Sequence, residues 1–213
     1  MSQTLSGYIT ECRRLLHDAN GNFYSDNELT DYINGARQRL VRDTGCLRKI
    51  QTVTAVTNQE VYTFSADFPE AMQTMDVLNI NLYWGNTRVP MRYMSWTQFN
   101  AQLRYWQNYI GQPIAFSMYG PTSLYIGPVP DQTYTMECDT VILPVDLTTG
   151  TQVDEIPDPW TVPVAFYACY KAKFKEQSYG EAEIFKQQYQ LQAQSVLATT
   201  YTRRMPNPYS TPY

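Results

Sequence analysis

The sequence predicts an α+β protein whose terminal helices flank an inserted, β-rich middle region. Apolar residues recur at helical spacing near both ends of the chain, whereas polar and apolar residues alternate over much of residues 50–157. Hydrophobic residues make up 43% of the 213 residues, which is enough for a buried core. The simplest packing joins two N-terminal and two C-terminal helices in a four-helix bundle, with an antiparallel β-rich insertion and an extended C-terminal arm.

Residues 1–49 predict an N-terminal helical hairpin. Each helix has an apolar stripe at helical spacing, formed by Leu5, Ile9, Cys12 and Leu16 in the first and by Leu29, Ile33, Ala36 and Leu40 in the second. Residues 18–22 favour a tight turn between the helices. Ser25 and Glu28 have the spacing of a capping box at the start of the second helix, and Gly45 is placed to end it.

Residues 50–157 predict the β-rich insertion, which includes one short helix. The alternation indicates strands over residues 51–57, 60–64, 77–84, 88–93, 114–119, 123–126 and 133–143, the last three as one antiparallel meander. Pro90 is expected at a sheet edge because it lacks an N–H. A second capping box at Ser95 predicts a helix with Phe99 and Trp106 on one face.

Residues 158–200 predict a C-terminal helix pair that packs on residues 1–49. Asp158 and Pro159 favour a helix start, and Tyr179–Gly180 is expected to separate the two helices. A polar loop over residues 144–158 precedes the pair. Residues 201–213 are expected to form an extended arm, because their prolines exclude a helix and they have no core to bury.

The charge distribution argues against a protein that grips duplex DNA. The net charge is −4, and residues 51–160 carry three basic and eleven acidic residues. Duplex binding needs clustered Lys and Arg to release counterions. The sequence has no apolar run of ~18 residues, so no membrane association is expected. No secretory signal is expected either, which makes the cytosol the default place of synthesis.

No cofactor and no metal site are predicted. The cysteines at positions 12, 46, 138 and 169 are scattered without metal-ligand spacing and are expected to be reduced and mostly buried. His17 is the single histidine. It fits the end of the first helix, where an imidazolium favours the helix dipole, better than a catalytic triad.

Carboxylates offer the remaining route to catalysis. Asp154, Glu155 and Asp158 cluster in one loop, and Glu181 and Glu183 flank a helix start. A glycosidase needs two carboxyl groups across a cleft. Negative charge before a helix N-terminus already explains Asp158, Glu181 and Glu183, so we favour the structural interpretation.

Two further groups admit a functional and a structural interpretation. A basic run that could touch nucleic acid comprises Arg37, Arg39, Arg42, Arg48 and Lys49. Interspersed acidic residues favour a solvated or inter-subunit salt-bridged face instead. An aromatic group that could stack on a sugar comprises Trp96, Tyr105, Trp106 and Tyr109. We favour core or interface packing for it.

Four segments together resemble the bacteriophage head-to-tail connector family, also called adaptor or head completion proteins. They are residues 24–36, 111–119, 124–131 and 156–159, and the resemblance extends from about residue 3 to residue 200. One departure is the polar stretch over residues 171–175, where the family's helix is usually more apolar.

The resemblance implies a structural virion protein and not an enzyme. Such subunits form a homo-oligomeric ring, commonly a dodecamer, that docks under the portal in the phage neck. The ring extends the DNA channel used in genome packaging and ejection, lets dsDNA pass without specific contacts, and provides the platform for a tail or nozzle protein. The subunit would be made in the bacterial host cytoplasm.

The C-terminal arm in such proteins often reaches the portal or a neighbouring subunit. Carried over, the docking arm comprises Arg203, Arg204, Met205, Pro206, Asn207, Pro208, Tyr209, Pro212 and Tyr213. The acidic middle of the chain would suit a channel wall that repels phosphate. Two alternatives stay open, namely a virion-associated cell-wall hydrolase and a carbohydrate-binding module.

Overall fold

The computed structural model describes residues 3–70, 73–106 and 109–201. The chain divides into two compact units, which we call unit 1 (residues 1–47 and 144–213) and unit 2 (residues 48–143). The predicted α+β class is confirmed, with six helices and largely antiparallel sheets in the described residues. The pattern had indicated five helices; the sixth is a single turn at Phe64–Asp67, which begins at the last residue of the strand predicted over residues 60–64.

The helices are α1 (Leu5–Leu16), α2 (Asp26–Thr44), α3 (Phe64–Asp67), α4 (Trp96–Trp106), α5 (Val162–Lys175) and α6 (Tyr179–Tyr201). The strands are β1 (Arg48–Ala55), β2 (Val61–Thr63), β3 (Thr74–Trp84), β4 (Thr87–Pro90), β5 (Arg92–Tyr93), β6 (Ala115–Tyr119), β7 (Ser123–Gly127) and β8 (Tyr134–Ile142). Unit 1 holds α1, α2, α5 and α6, and unit 2 holds the other elements. None of the helices in the described ranges has the length and apolar character of a membrane span.

In unit 1, α5 is the central helix because it packs against α1, α2 and α6. The apolar stripes predicted for α1 and α2 are their buried faces. Tyr8 is fully buried in α1, whereas Ile9, which the periodicity placed on the stripe, is half-buried. Both ends of the chain therefore contribute helices to one core.

The ends of α2 are formed largely as the sequence predicts. The Ser25 hydroxyl accepts a hydrogen bond from the Glu28 N–H (3.2 Å), and Gly45 ends the helix in the left-handed conformation with φ 61°. The Glu28 carboxylate does not complete the capping box. It accepts instead from the Tyr32 hydroxyl (2.7 Å) and pairs with Lys175.

An arginine and a buried carboxylate organise the turn between α1 and α2. Asp18 accepts hydrogen bonds from backbone N–H groups of residues 22–24, and the Arg13 guanidinium pairs with both Asp18 (3.2 Å) and Asp26 (2.6 Å). Gly21 is required there, since its φ is 68° and a Cβ would lie 2.7 Å from the Arg13 guanidinium. Burial alone would raise the pKa of Asp18, but these N–H groups and Arg13 lower it below the ordinary value of 3.8.

The boundaries of the C-terminal helices differ from the prediction. The start predicted near Asp158–Pro159 is one turn too early, because α5 begins at Val162; Pro163 is tolerated in its first turn, where an N–H has no helical acceptor. The separation predicted at Tyr179–Gly180 is also wrong. The break falls at Gln177, which has φ 61°, and Tyr179 already begins α6.

Unit 2 consists of two four-stranded sheets that share one core. The first sheet has the order β1-β8-β3-β4 and the second has the order β2-β7-β6-β5. All strand pairs are antiparallel except β5 with β6. The core consists of buried side chains from both sheets and α3: Val53, Ala55, Tyr62, Phe64, Phe68, Val77, Ile80, Leu82, Met91, Phe116, Leu124, Ile126, Tyr134, Met136 and Cys138.

Two strand predictions for unit 2 need correction. The three-stranded meander is wrong, because β8 leaves β6 and β7 and pairs with β1 and β3 in the first sheet. The single strand predicted over residues 88–93 is wrong as well, because this segment forms the two strands β4 and β5. The buried Met91 lies between β4 of the first sheet and β5 of the second, so the chain changes sheets there. Pro90 lies in an edge strand, as predicted.

Candidate interaction surfaces

The predicted docking arm lies outside the described residues, and its role stays a prediction. Its members are Arg203, Arg204, Met205, Pro206, Asn207, Pro208, Tyr209, Pro212 and Tyr213. The described residues provide four features that bear on function. They are a buried ion pair and an exposed apolar helical face in unit 1, and an aromatic cluster and a polar groove in unit 2.

A buried ion pair in unit 1 joins Arg37 of α2 to Asp154 in the loop before α5. Both side chains are 0% exposed, and Nη2 of Arg37 lies 2.6 Å from Oδ1 of Asp154. The Tyr8 hydroxyl donates to Oδ2 (2.7 Å), the Ile156 N–H donates to Oδ1 (3.0 Å), and Nη1 of Arg37 donates to the Val145 carbonyl (2.7 Å). Both carboxylate oxygens are thus satisfied. Burial, with the charge of Asp154, raises the pKa of Tyr8 far above its ordinary value.

This ion pair corrects two sequence interpretations. Arg37 is not part of a solvated basic face, because its guanidinium is entirely inside unit 1. Residues 144–158 are not simply a polar surface loop, since Leu147 and Ile156 are buried and Asn34 holds Leu147 by two hydrogen bonds of 2.9 and 3.0 Å. The pair therefore fastens the loop to the N-terminal helices.

The structure gives the other candidate carboxylates separate roles. Asp154 is engaged as described, and Glu155 is exposed. Glu181 pairs with Lys173 (3.2 Å), and Glu183 pairs with Lys186 (3.4 Å). The N-cap role predicted for Asp158 is wrong because Thr161 occupies that position. Within residues 3–70, 73–106 and 109–201, no group of three or more His, Cys, Asp or Glu side chains could hold a metal ion.

His17 and the cysteines occupy structural positions. His17 is exposed and caps the C-terminus of α1 with φ 56°, at the predicted end of the helix. Cys12, Cys138 and Cys169 are buried free thiols, and Cys46 is half-buried. Burial raises the pKa of Cys138 to about 12, so this thiol stays protonated and unreactive at neutral pH.

An aromatic cluster attaches α4 to the outer face of the second sheet. The Trp96 ring lies 4.5 Å from the Tyr119 ring and 4.7 Å from the Tyr125 ring, measured between centroids. Phe99 is fully buried and meets the Trp106 ring at 5.6 Å. Both tryptophans therefore pack within unit 2, in accordance with the packing interpretation rather than a free stacking platform.

Gly127 is required by this cluster. A Cβ at this position would lie 2.5 Å from the Trp106 ring and 3.1 Å from Phe99. The indole therefore rests directly on the backbone at the end of β7. Around the cluster, unit 2 exposes apolar side chains that are each at least half exposed: Tyr93, Tyr105, Tyr109, Ile110, Ile114 and Tyr119.

A polar groove of about 350 Å³ crosses the outer face of the first sheet. Its lining residues are Arg48, Lys49, Ile50, Asn79, Asn81, Glu137 and Asp139. Ion pairs engage its charges, namely Arg48 with Asp139 and Arg88 with Glu137 (2.8 Å). The groove is therefore nearly balanced in charge and has no buried carboxylate pair of the kind that a glycosidase needs.

Unit 1 exposes an apolar helical face at the junction of α5 and α6. We define it by Phe174, Tyr179, Ile184 and Leu191, which are 53–60% exposed. The rings of Phe174 and Tyr179 meet at 5.4 Å, and Ile184 and Leu191 are seven residues apart, on one side of α6. Exposed apolar side chains such as this ring pair and this pair on α6 can contribute to surfaces that bind other proteins.

The two units have equal net charges, which corrects the picture of an acidic insertion. Unit 2 contains five basic and seven acidic residues, and unit 1 contains eleven basic and thirteen acidic residues. Four of the eleven acidic residues counted in residues 51–160 belong to the loop of unit 1. The β-rich unit is therefore only weakly acidic, at a net charge of −2.

Comparison with protein families gives a match over nearly the whole chain. The model of a family described as SU10 adaptor protein matches residues 3–212, nearly the whole chain. No curated protein matches the sequence.

Proposed function

The chain belongs to the SU10 adaptor protein family, a family of phage head-to-tail adaptors, and from that premise we propose how it works in the particle. It is a structural subunit of the virion neck that assembles as a homo-oligomeric ring, commonly of twelve copies, under the portal. The ring extends the DNA channel and carries the tail or nozzle protein. The family match over residues 3–212 is the observation that carries this proposal.

Unit 1 forms the wall of the proposed ring. Its helix α5 packs against the other three helices, and the Arg37–Asp154 pair fastens the connecting loop to the N-terminal helices. A ring wall must resist deformation when DNA passes, and a satisfied buried ion pair fixes one arrangement of the elements that it joins. The exposed helical face then provides apolar area for contact between copies.

Unit 2, which is inserted in the chain between the two segments of unit 1, meets the tail partner. Its exposed tyrosines and isoleucines around the aromatic cluster have the composition of protein interfaces. Tyrosine supplies a large rigid contact area at low entropic cost. The dsDNA passes without specific contact, since five basic against seven acidic residues in unit 2 do not favour a grip on phosphate.

The C-terminal arm over residues 203–213 docks on the portal or on a neighbouring subunit. Its two arginines, three aromatic or methionine side chains and three prolines suit an extended segment that lies along another protein. A ring presents the arm many times, so each arm can bind weakly while the ring binds tightly.

Phage particles made without this chain test the proposal. Filled heads that lack tails, restored by supplying the chain during assembly, are the expected result. A cell-wall hydrolase would give complete particles that fail to inject, and a carbohydrate-binding module would give complete particles that fail to adsorb. Complete, tailed particles in the absence of the chain would contradict the adaptor function.

Variants of the chain separate the same alternatives in solution. The hydrolase alternative predicts peptidoglycan cleavage that is lost on Glu181→Gln or Glu183→Gln. The sugar-binding alternative predicts saccharide affinity that is lost on Trp96→Ala. The adaptor proposal expects neither activity in the parent chain, and it expects that deleting residues 203–213 weakens docking while both units stay folded.

A further inference from the structure

The first sheet has one long open edge, formed by β1. This strand pairs with β8 over eight consecutive residues without a bulge, from Arg48 opposite Val141 to Ala55 opposite Tyr134. Among the described residues, no strand lies on its other side. An open edge presents backbone donors and acceptors that can pair with another chain.

The register shows which backbone groups face outward. The Met91 N–H donates to the Ile80 carbonyl (2.9 Å), so the backbone N–H and C=O of Ile80 point toward β4. The backbone groups of the next residue, Asn81, therefore point the other way, toward its β8 partner Glu137. The backbone N–H and C=O groups of successive residues in a strand point to opposite edges. Those of Met136 and Cys138, next to Glu137, therefore point toward β1, where they pair with Val53 and Gln51.

The intervening residues of β1, Ile50, Thr52 and Thr54, therefore direct their N–H and C=O groups away from the sheet. In the described part of the chain, their N–H groups have no hydrogen-bond partner. Their side chains are exposed as well, with Ile50 64% exposed. The edge is thus accessible along most of its length.

The other three sheet edges are protected in ways that β1 is not. The edge strand β2 has three residues, and its outward Thr63 N–H donates to the Asp67 carboxylate (2.6 Å). The edge strand β4 has four residues and ends in Pro90, and β5 has only two residues. Short strands, prolines and side-chain caps are the devices by which sheet proteins prevent edge pairing.

Charge does not protect the β1 edge either. Lys49 forms an ion pair with Glu70, and Arg48 with Asp139, so both charges are engaged within unit 2. Residues 50–55 carry no charge and no proline. A long edge without a bulge, uncharged over residues 50–55 and left open by the fold, is the feature of a site for strand addition.

The C-terminal arm has a sequence that can pair on one edge and not on the other. Its prolines are Pro206, Pro208 and Pro212, all at even positions. In an extended strand, even residues direct their backbone to one edge and odd residues to the opposite edge. Residues 205, 207, 209, 211 and 213 therefore keep a complete set of N–H donors on one side, whereas the other side is blocked by proline.

We propose that residues 205–213 of one copy add as a fifth strand to the outer edge of β1 in a second copy. The arm fits in length, since nine extended residues span about 31 Å and the eight residues of β1 about 27 Å. Its proline side faces solvent and stops further strands from adding. The proposal rests on the ring of the proposed function, because an arm that enters a neighbour is a head-to-tail contact, the kind that closes rings.

Two variants of the full chain isolate the two halves of this contact. An edge-only chain lacks residues 203–213. An arm-only chain carries Thr52→Pro, which removes an outward N–H without removing a bond to β8. We expect neither variant to self-associate, and we expect a mixture of the two to form a 1:1 complex that stops at the dimer in sedimentation velocity.

Amide hydrogen exchange identifies the contact. On mixing, exchange at Ile50, Thr52 and Thr54 of the edge-only chain is expected to slow by about tenfold or more. Exchanging two residues of the arm, as Asn207→Pro with Pro208→Asn, keeps the composition but places prolines on both edges. This matched arm is expected to abolish the complex. A complex of equal affinity with the exchanged arm would overturn strand pairing.

Two further outcomes would overturn the proposal. One is a mixture that forms no complex and leaves exchange at the β1 edge unchanged. The other is a monomeric parent chain whose β1 edge is protected by its own arm.

Circular dichroism and urea unfolding of Thr52→Pro show whether unit 2 is intact, and Thr54→Pro provides a second block of the same edge. A ring under the portal without arm exchange would leave the proposed function standing while this inference fails.

Discussion

The two units of this chain are stabilised by different kinds of interior. All the buried charged side chains among the described residues, Asp18, Arg37 and Asp154, lie in unit 1, where they tie loops to helices. Unit 2 buries apolar side chains from two sheets and keeps its ion pairs at the surface. Buried charged groups thus fix the connections of unit 1, whereas unit 2 depends on apolar burial and on neutral hydrogen bonds such as that from Gln51 to Thr140 (2.8 Å).

The largest expected effect comes from breaking the buried pair of unit 1. Asp154→Ala leaves the Arg37 guanidinium buried without its carboxylate, which costs about 3–5 kcal/mol in the free energy of unfolding. Urea unfolding followed by circular dichroism at 222 nm, where the helices of unit 1 dominate, measures the loss. Asp146→Ala is the matched control, because Asp146 is exposed in the same loop and should cost less than ~0.5 kcal/mol.

The double replacement Arg37→Met with Asp154→Leu sharpens the same test. Removing both charges leaves no unpaired ion, so the double variant should be more stable than Asp154→Ala alone. A double variant as unstable as the single one would show that the cost comes from packing and not from the unpaired charge.

A core truncation in unit 2 is expected to have the next largest effect. Leu82→Ala removes a fully buried side chain from β3 and should cost about 3 kcal/mol through lost burial and the cavity that remains. Tryptophan fluorescence reports mainly unit 2, which contains Trp84, Trp96 and Trp106, and replacing Trp160 of unit 1 by Phe in both chains removes the signal of the other unit. Leu78→Ala in the same strand is the control, since Leu78 is 46% exposed; equal losses at both positions would contradict the assigned faces of β3.

Lowering the pH is expected to change the stability of the two units differently, but by less than the substitutions above. The hydrogen bond from Lys175, with that from Tyr32, lowers the pKa of Glu28 in unit 1, so the unfolded chain binds more protons below its ordinary pKa of 4.5. The stability that Glu28 contributes is present above pH 4.5 and is lost as the pH falls through its folded pKa. Because Glu28 is partly exposed, the loss should be less than about 1 kcal/mol.

Glu60 in unit 2 responds in the opposite sense. Burial raises its pKa above 4.5, so its ionised form is unfavourable in the folded state and a fall in pH relieves that penalty. Unfolding of each unit between pH 6 and pH 3.5 measures both trends. Glu28→Gln should flatten the response of unit 1, and an unchanged response in that variant would contradict the assignment.

The smallest effect is expected at exposed ion pairs. Lys186 and Glu183 lie 3.4 Å apart on α6 with both side chains largely in solvent. Glu183→Gln should change the free energy of unfolding by less than ~0.5 kcal/mol, and salt should remove the difference. A larger loss in urea unfolding would show that this face of α6 is more constrained than its exposure indicates.

The sequence predicted what is local in the chain. The capping serine Ser25, the terminal glycine Gly45 and the stripes of α1 and α2 depend on neighbours three or four residues away. The partnership of Arg37 with Asp154 spans 117 residues, so no local pattern reveals it. The helical spacing did contain a signal that Arg37 is buried, because Arg37 lies four residues after the buried Ile33 and four before the buried Val41.

The sheet pairings show the same limit. β8 has the alternation of a strand, but its partners β1 and β3 are set by the two-sheet core and not by the turn that precedes it. Met91 marks the change of sheet only through its burial. The docking arm stays a prediction from its composition and from the family, since it lies outside the described residues.

Electron microscopy of the portal protein co-expressed with this chain tests the adaptor assignment most directly. The account predicts a rotationally symmetric ring stacked under the portal, with the chain's density in it and a continuous central channel. A chain that stays monomeric beside the portal, with no added density in particles or in the purified portal, would contradict it.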